Sequence, residues 1–418
     1  MGIMINGALI HRILQNPSAL AGASMEIRPG QILKGKVLEL LPGSQAIVQL
    51  EKIKVVSRLE ASLRPGDKAW FQVQANQGKV VLKLLADEGK SSQKDDPLLS
   101  LARSLGLGDN PEHKMLLERI VNEQIPLSKE HIYQLKELLR ELGIDQNIVE
   151  ATLVALKREI PLARDVIQGL SAFLFGSDII DLMNELKNEV RHWKAEPSNE
   201  QTENLLEKLQ MKLDSLLQFR SDPIRSGPDL ARWFHEIGVH WENQIGREQP
   251  LENDSLKSIL LQLKDALPLE SSAKLLSFVT GQQLFLAPSE SVFQQLILHI
   301  PFLPFEHAFA QVEGKKKPNG ELDPDNCRLL FYLQFPHLGN LLLDVRIIER
   351  MVGVEFHGEE KRLTAHLLDF KQELQRSLQA QGYRLSSVKI TLPKDKEPGA
   401  RMLPKGLAMP YKGVDFRI

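Results

Sequence analysis

The hydrophobic period changes twice along these 418 residues, and each change sets what the next stretch can fold into. From Gly30 to Leu85 apolar residues alternate with polar ones: Ala46, Val48 and Leu50, then Phe71, Val73 and Ala75, then Val80, Leu82 and Leu84. A period of two is that of half-buried strands. Pro42-Gly43, Arg64-Pro65-Gly66-Asp67 and Asn76-Gln77-Gly78 supply turns between them. About five strands in so short a stretch predict a small closed barrel, because closure removes exposed edges.

The polar run Asp87–Asp96 is a linker, and beyond it the period becomes helical to about Thr280. Within this region Ile125-Pro126-Leu127-Ser128 and Ile160-Pro161-Leu162-Ala163 lie 35 residues apart, each ahead of a helical pattern. That spacing fits a duplicated helical hairpin, with Pro in the first turn of each second helix. Strands return from Gln294. A charged stretch, Glu313–Asp325, reads as a loop. After it Leu329, Phe331, Leu333 and Phe335 alternate, then Leu341, Leu343, Val345 and Ile347, then Val352, Val354 and Phe356. Leu363, Leu367, Phe370, Leu374 and Leu378 mark one face of a helix, Gly382 its end, and Leu385, Val388 and Ile390 a closing strand.

The expected fold class is multidomain α+β: a small N-terminal β-barrel, an α-helical middle, and a C-terminal α+β module of antiparallel strands plus one long amphipathic helix. The expected divisions are a lead-in at 1–29, the barrel at 30–86, helices at 97–285, the C-terminal module at 290–393 and a tail at 394–418.

Composition limits the function classes. A net charge of -2 gives no global attraction to nucleic acid or anionic membrane. No stretch approaches the roughly 20 apolar residues of a membrane-spanning helix, and Asn6, His11 and Arg12 break the N-terminal apolar run, so no secretory signal is expected. The single cysteine, Cys327, rules out an intramolecular disulfide and reads as a small buried hydrophobe.

Two stretches approach catalytic motifs and fail on chemistry. Gly30-Gln31-Ile32-Leu33-Lys34-Gly35-Lys36-Val37 resembles a phosphate-binding loop, yet Val37 stands where a hydroxyl must hold magnesium. It reads as a turn and the first barrel strand. His235 and His240 are five residues apart, one too many to share a helix face as zinc ligands. No catalytic, cofactor-binding or metal residues are assigned. Lys34, Lys36, Lys52, Lys54, Arg58 and Arg64 make the barrel mildly basic, and it carries Trp70 and Phe71. The expectation is a solvated outer face around an aromatic core, with no nucleic-acid binding.

The turn Phe335-Pro336-His337-Leu338-Gly339, the strand Leu341-Leu342-Leu343-Asp344-Val345 and the ending Leu378-Gln379-Ala380-Gln381-Gly382-Tyr383-Arg384-Leu385 occur in a recognisable order. From about Arg328 to Ile390 this order resembles the C-terminal domain of the flagellar hook-length control proteins. The barrel with its Arg64-Pro65-Gly66-Asp67 turn is similar to that of long hook-length-control-like proteins of Gram-positive spore formers. The resemblance implies a non-enzymatic protein whose C-terminal domain binds the cytoplasmic part of an export-gate switch protein of the flagellar type III system, changing substrate specificity. By position, Leu333, Phe335, Pro336, Leu338, Gly339 and Val345 would carry that contact. The implied location is cytoplasmic, with export by the flagellar type III route left open. The chain departs from the family in a turn one residue shorter and in an N-terminal part patterned to fold. An adaptor without a flagellar role, and nucleic-acid binding through the basic barrel, remain the alternatives.

Overall fold

The computed structural model describes residues 29–42, 45–50, 53–59, 63–76, 79–87, 96–108, 110–143, 145–193, 200–219, 227–239, 254–267, 269–287, 293–301, 307–335, 339–358 and 370–391. The lead-in through residue 28, linker residues 88–95, the breaks at 194–199 and 220–226, His240, Pro336, His337, Leu338, residues 359–369 and everything after 391 lie outside the described residues. The chain is a multidomain α+β protein. Two compact units hold the described residues 29–171 and 172–391.

In the first unit β1 (Ile32–Leu41), β2 (Gln45–Leu50), β3 (Ile53–Leu59), β4 (Lys68–Asn76) and β5 (Lys79–Asp87) close a barrel in the order β1-β2-β3-β5-β4. Its interior holds Leu33, Val37, Ala46, Val48, Leu50, Leu63, Phe71, Val73 and Leu82, the inward half of each alternation. Gly35 lies where those side chains converge. A Cβ there would come within 2.8 Å of Leu50 and 2.9 Å of Phe71 and Val48. The stretch that mimics a phosphate loop is therefore a turn and β1. The Arg64–Asp67 turn is as its chemistry demands: Gly66 takes φ +100°, and the Asp67 carboxylate accepts from Arg64 N at 2.7 Å.

Five helices follow: α1 (Pro97–Leu105), α2 (Pro111–Asn122), α3 (Lys129–Glu141), α4 (Gln146–Lys157) and α5 (Arg164–Phe175). The unit boundary falls within α5. The duplication is visible in backbone detail. After α2 and after α4 the chain turns through a left-handed residue, Gln124 (φ 53°) and Glu159 (φ 57°). Ile125 N then donates to Ile120 O, and Ile160 N to Ala155 O, each at 2.9 Å, a six-to-one helix ending. One detail differs from the sequence reading. Pro126 and Pro161 precede the helices rather than starting them, because each holds the residue before it extended and so ends the previous turn. Ser128 caps α3, accepting from His131 N at 3.0 Å.

The second unit holds α6 (Ile179–Trp193), α7 (Glu200–Gln218), α8 (Gly227–Ile237), α9 (Leu256–Ala266) and α10 (Glu270–Leu286). Beyond them a six-stranded sheet runs β11-β10-β9-β8-β7-β6, from β6 (Phe293–His299), β7 (His307–Lys316), β8 (Leu322–Phe335), β9 (Gly339–Ile348), β10 (Met351–Gly358) and β11 (Arg384–Thr391). The stretch expected as a loop is largely strand: β7 and β8 extend into it, and Lys317–Glu321 alone turns the hairpin, closed by Lys317 N to Glu321 O at 2.7 Å. Every neighbouring pair is antiparallel except β10 and β11, which are parallel. A parallel neighbour needs a crossover, and α11 (Lys371–Ala380) lies on that connection and packs on β11. Among the described residues no single helix is long and apolar enough to cross a membrane.

Candidate functional site

Strand register sorts the C-terminal side chains onto two faces. Leu329 pairs with Val345, Phe331 with Leu343, Leu333 with Leu341, and Phe335 with Gly339. Across β9 and β10, Val345 pairs with Val354 and Leu343 with Phe356. Three of the expected contact residues, Leu333, Phe335 and Val345, therefore share one face of the sheet, with Phe331 and Leu343 between them. This face continues through Val312 and Ala310 on β7 and through Leu296 and Leu298 on β6. Leu329, Phe331, Leu333, Phe335, Leu343 and Val345 are all half-buried. Gly339 opens β9 opposite Phe335, while Pro336 and Leu338 lie outside the described residues.

On β8 the opposite side is the deeper one, which the alternation read from Leu329 to Phe335 did not pick out, while Leu341, Val352 and Val354 of the first face are also buried. Leu330 is 0% exposed and Tyr332 5%. On that side the Phe309 ring of β7 meets Phe173 of α5 edge-on at 5.8 Å, and the His299 ring of β6 meets Phe278 of α10 at 5.5 Å. The α10 residue Gln282 bridges to β6, donating to Ile297 O and accepting from His299 N, both at 2.9 Å. His299 Nε2 lies 3.0 Å from Asp178, which also caps α6 through Ile180 N.

A polar strip crosses this same face. Arg328 donates to Asp344 through Nε at 2.9 Å and Nη2 at 2.8 Å, Arg346 adds a bond at 3.0 Å, and Glu313 lies 4.0 Å from Arg328. Asp344 is 2% exposed. Burial by itself would raise its pKa, and the hydrogen bonds from Arg328 and Arg346 overcome that, holding the carboxyl below its ordinary value. Burial pushes the Tyr332 phenol far up, with Glu313 adding to it. The Cys327 thiol is also raised, by burial and then by Asp323 and Asp325, so it is a poor nucleophile at neutral pH. The sequence held a hint of the strip in Arg328 and Asp344 amid apolar runs, but the pairing depends on register.

The barrel has two different outer sides. Ile32, Trp70, Gln72 and Val81 lie at outward strand positions and are buried. Gln72 donates to Leu127 O at 2.8 Å, Leu127 N to Gly30 O at 2.9 Å, and α1 packs on β5. The duplicated Ile-Pro-Leu segment thus seals one flank of the barrel. The outward side of β1, β2 and β3 is exposed, with Lys34, Lys36, Gln45, Gln49, Lys54, Val56 and Arg58. Phe71 is interior as expected, and Trp70, though outward, is only 6% exposed, with the Lys34 ammonium 5.9 Å from its ring.

These features define a multidomain protein built on a small S1-like barrel: residues 9–83 match the TP0910 S1-like domain family. The chain is also similar to YlqG, an uncharacterized protein of Bacillus subtilis (strain 168), with 27% identity over 144 residues. That alignment takes in 33% of this chain and 25% of YlqG, so the match spans about a quarter of the relative's length. No solved structure matches the chain.

Proposed function

We propose that this chain is a non-catalytic binding protein of flagellar type III export, similar to hook-length control proteins. Its C-terminal module docks on the cytoplasmic part of an export-gate switch protein and so changes which subunits are exported. The observation that carries this reading is the half-buried apolar sheet face on which Leu333, Phe335 and Val345 lie together, with Phe331 and Leu343 completing it. A contiguous apolar face that retains solvent contact suits a protein partner. Gly339 begins β9 beside Phe335 and sets the edge of this face. Pro336 and Leu338 are included by their place in the sequence alone.

The test uses the full chain and the purified cytoplasmic domain of an export-gate switch protein, titrated by isothermal calorimetry. Phe335→Ser is expected to weaken binding about tenfold, roughly 1.4 kcal/mol, with an unchanged circular dichroism spectrum and melting curve. Unchanged affinity in that folded variant would remove this face from the interface. Absence of binding by the unaltered chain would overturn the reading.

A further inference from the structure

We propose that the outward face of β1, β2 and β3 docks an extended, acidic, aliphatic-bearing segment of a protein partner. Register places Lys68, Lys36, Gln49 and Lys54 side by side across four strands. Three interstrand steps of about 4.8 Å spread this row over roughly 14 Å. Beyond it Glu39, Ile47 and Val56 form a second row, and Gln45 and Arg58 a third. Lys34, Lys36, Lys54, Arg58 and Lys68 are all exposed, and Glu39 is the one carboxylate in β1 to β4. In a chain of net charge -2, such a cluster is a local positive patch rather than a property of the whole.

Two further observations choose the partner. The aromatic side chains of the five strands are Trp70 and Phe71, which are 6% and 0% exposed. Single-stranded nucleic acid is held by stacking bases on exposed aromatics beside basic side chains, and this face offers no such platform. It offers aliphatic surface instead: Val56 is 58% exposed and stands opposite Ile47 between the cationic rows. The mode of binding follows from β3. It pairs with β2 along Ile53–Arg58 but with β5 only at Arg58 and Leu59. Among the described residues, the edge at Lys54–Val56 thus has a strand neighbour on one side alone. An extended segment added there satisfies its backbone while its alternate side chains lie over Lys54 and Val56. Acidic residues meet Lys54, at the near end of the lysine row, and aliphatic ones meet Val56.

Fluorescence anisotropy on the full chain tests this with three labelled probes: a short peptide alternating Glu and Val, the same peptide with Ser for Val, and an oligouridine. The Glu-Val peptide is expected to bind saturably and to weaken as salt rises. Replacing Lys54→Gln and Arg58→Gln together, both at exposed positions on β3, should weaken it about tenfold, and Val56→Ser should do so by a smaller factor. Tighter binding of oligouridine than of the Glu-Val peptide would make this a nucleic-acid face and overturn the proposal. So would equal binding of the Ser peptide, or no saturable binding of any probe. None of these outcomes depends on whether the C-terminal sheet binds an export-gate protein.

Discussion

Replacing Asp344 by Ala should loosen the centre of the C-terminal sheet by about 2–3 kcal/mol. The carboxylate is 2% exposed and accepts two bonds from Arg328 and one from Arg346. Removing one member of a fully buried pair costs roughly 3–5 kcal/mol, because the other charge is stranded. Arg328 keeps 29% of its side chain exposed and retains Glu313 at 4.0 Å, which brings the cost to the lower figure. Arg346 is 62% exposed and contributes little. Because the chain has two compact units, a local probe is preferable to a single melting curve. Hydrogen exchange of the β8 and β9 amides reports local opening, and exchange there should quicken by about 100-fold. Pairing Asp344→Leu with Arg328→Met removes both charges and should restore most of the protection. The pH dependence has a definite sign. Asp344 has a depressed pKa, so its contribution is complete above the ordinary Asp value of about 3.9 and is lost as pH falls through the depressed native value. The Ala variant should lack that acid step. A single variant that exchanges like the unaltered chain, or a double variant as damaged as the single one, would show that the Arg328–Asp344 pair does not hold these strands together.

Two further substitutions probe the first unit. Gly35→Ala should lower the thermal midpoint, at a cost of about 1–3 kcal/mol for overpacking, because its Cβ lands within 2.9 Å of Leu50, Phe71 and Val48. Calorimetry that finds the barrel unaffected would mean the core relaxes more than its packing suggests. Gln72→Leu removes the bond to Leu127 O and should cost about 1–3 kcal/mol, read as faster exchange at Leu127 N. Unchanged protection there would show that the backbone bond to Gly30 holds the flank alone.

Pattern alone gave most element types and their order, although the charged stretch Glu313–Asp325, read as a loop, is largely strand. A period of two needs a surface on alternate sides, so the barrel strands, the Arg64–Asp67 turn and the interior place of Phe71 followed from pattern and turn chemistry. The repeated Ile-Pro-Leu segment was legible from its 35-residue spacing, and both copies follow the same backbone helix ending, but each proline lies ahead of the next helix rather than in its first turn. Which face is which was settled by packing. Leu329, Phe331, Leu333 and Phe335 alternate as a core face would, yet Leu330 and Tyr332 are the deeper set, because α5 and α10 pack on their side. Alternation marks two faces but does not say what covers each. The parallel placement of β11, the Arg328–Asp344 strip and the basic row on the barrel depend likewise on register between strands distant in sequence. Those contacts are fixed by the fold as a whole, so no local run of residues encodes them.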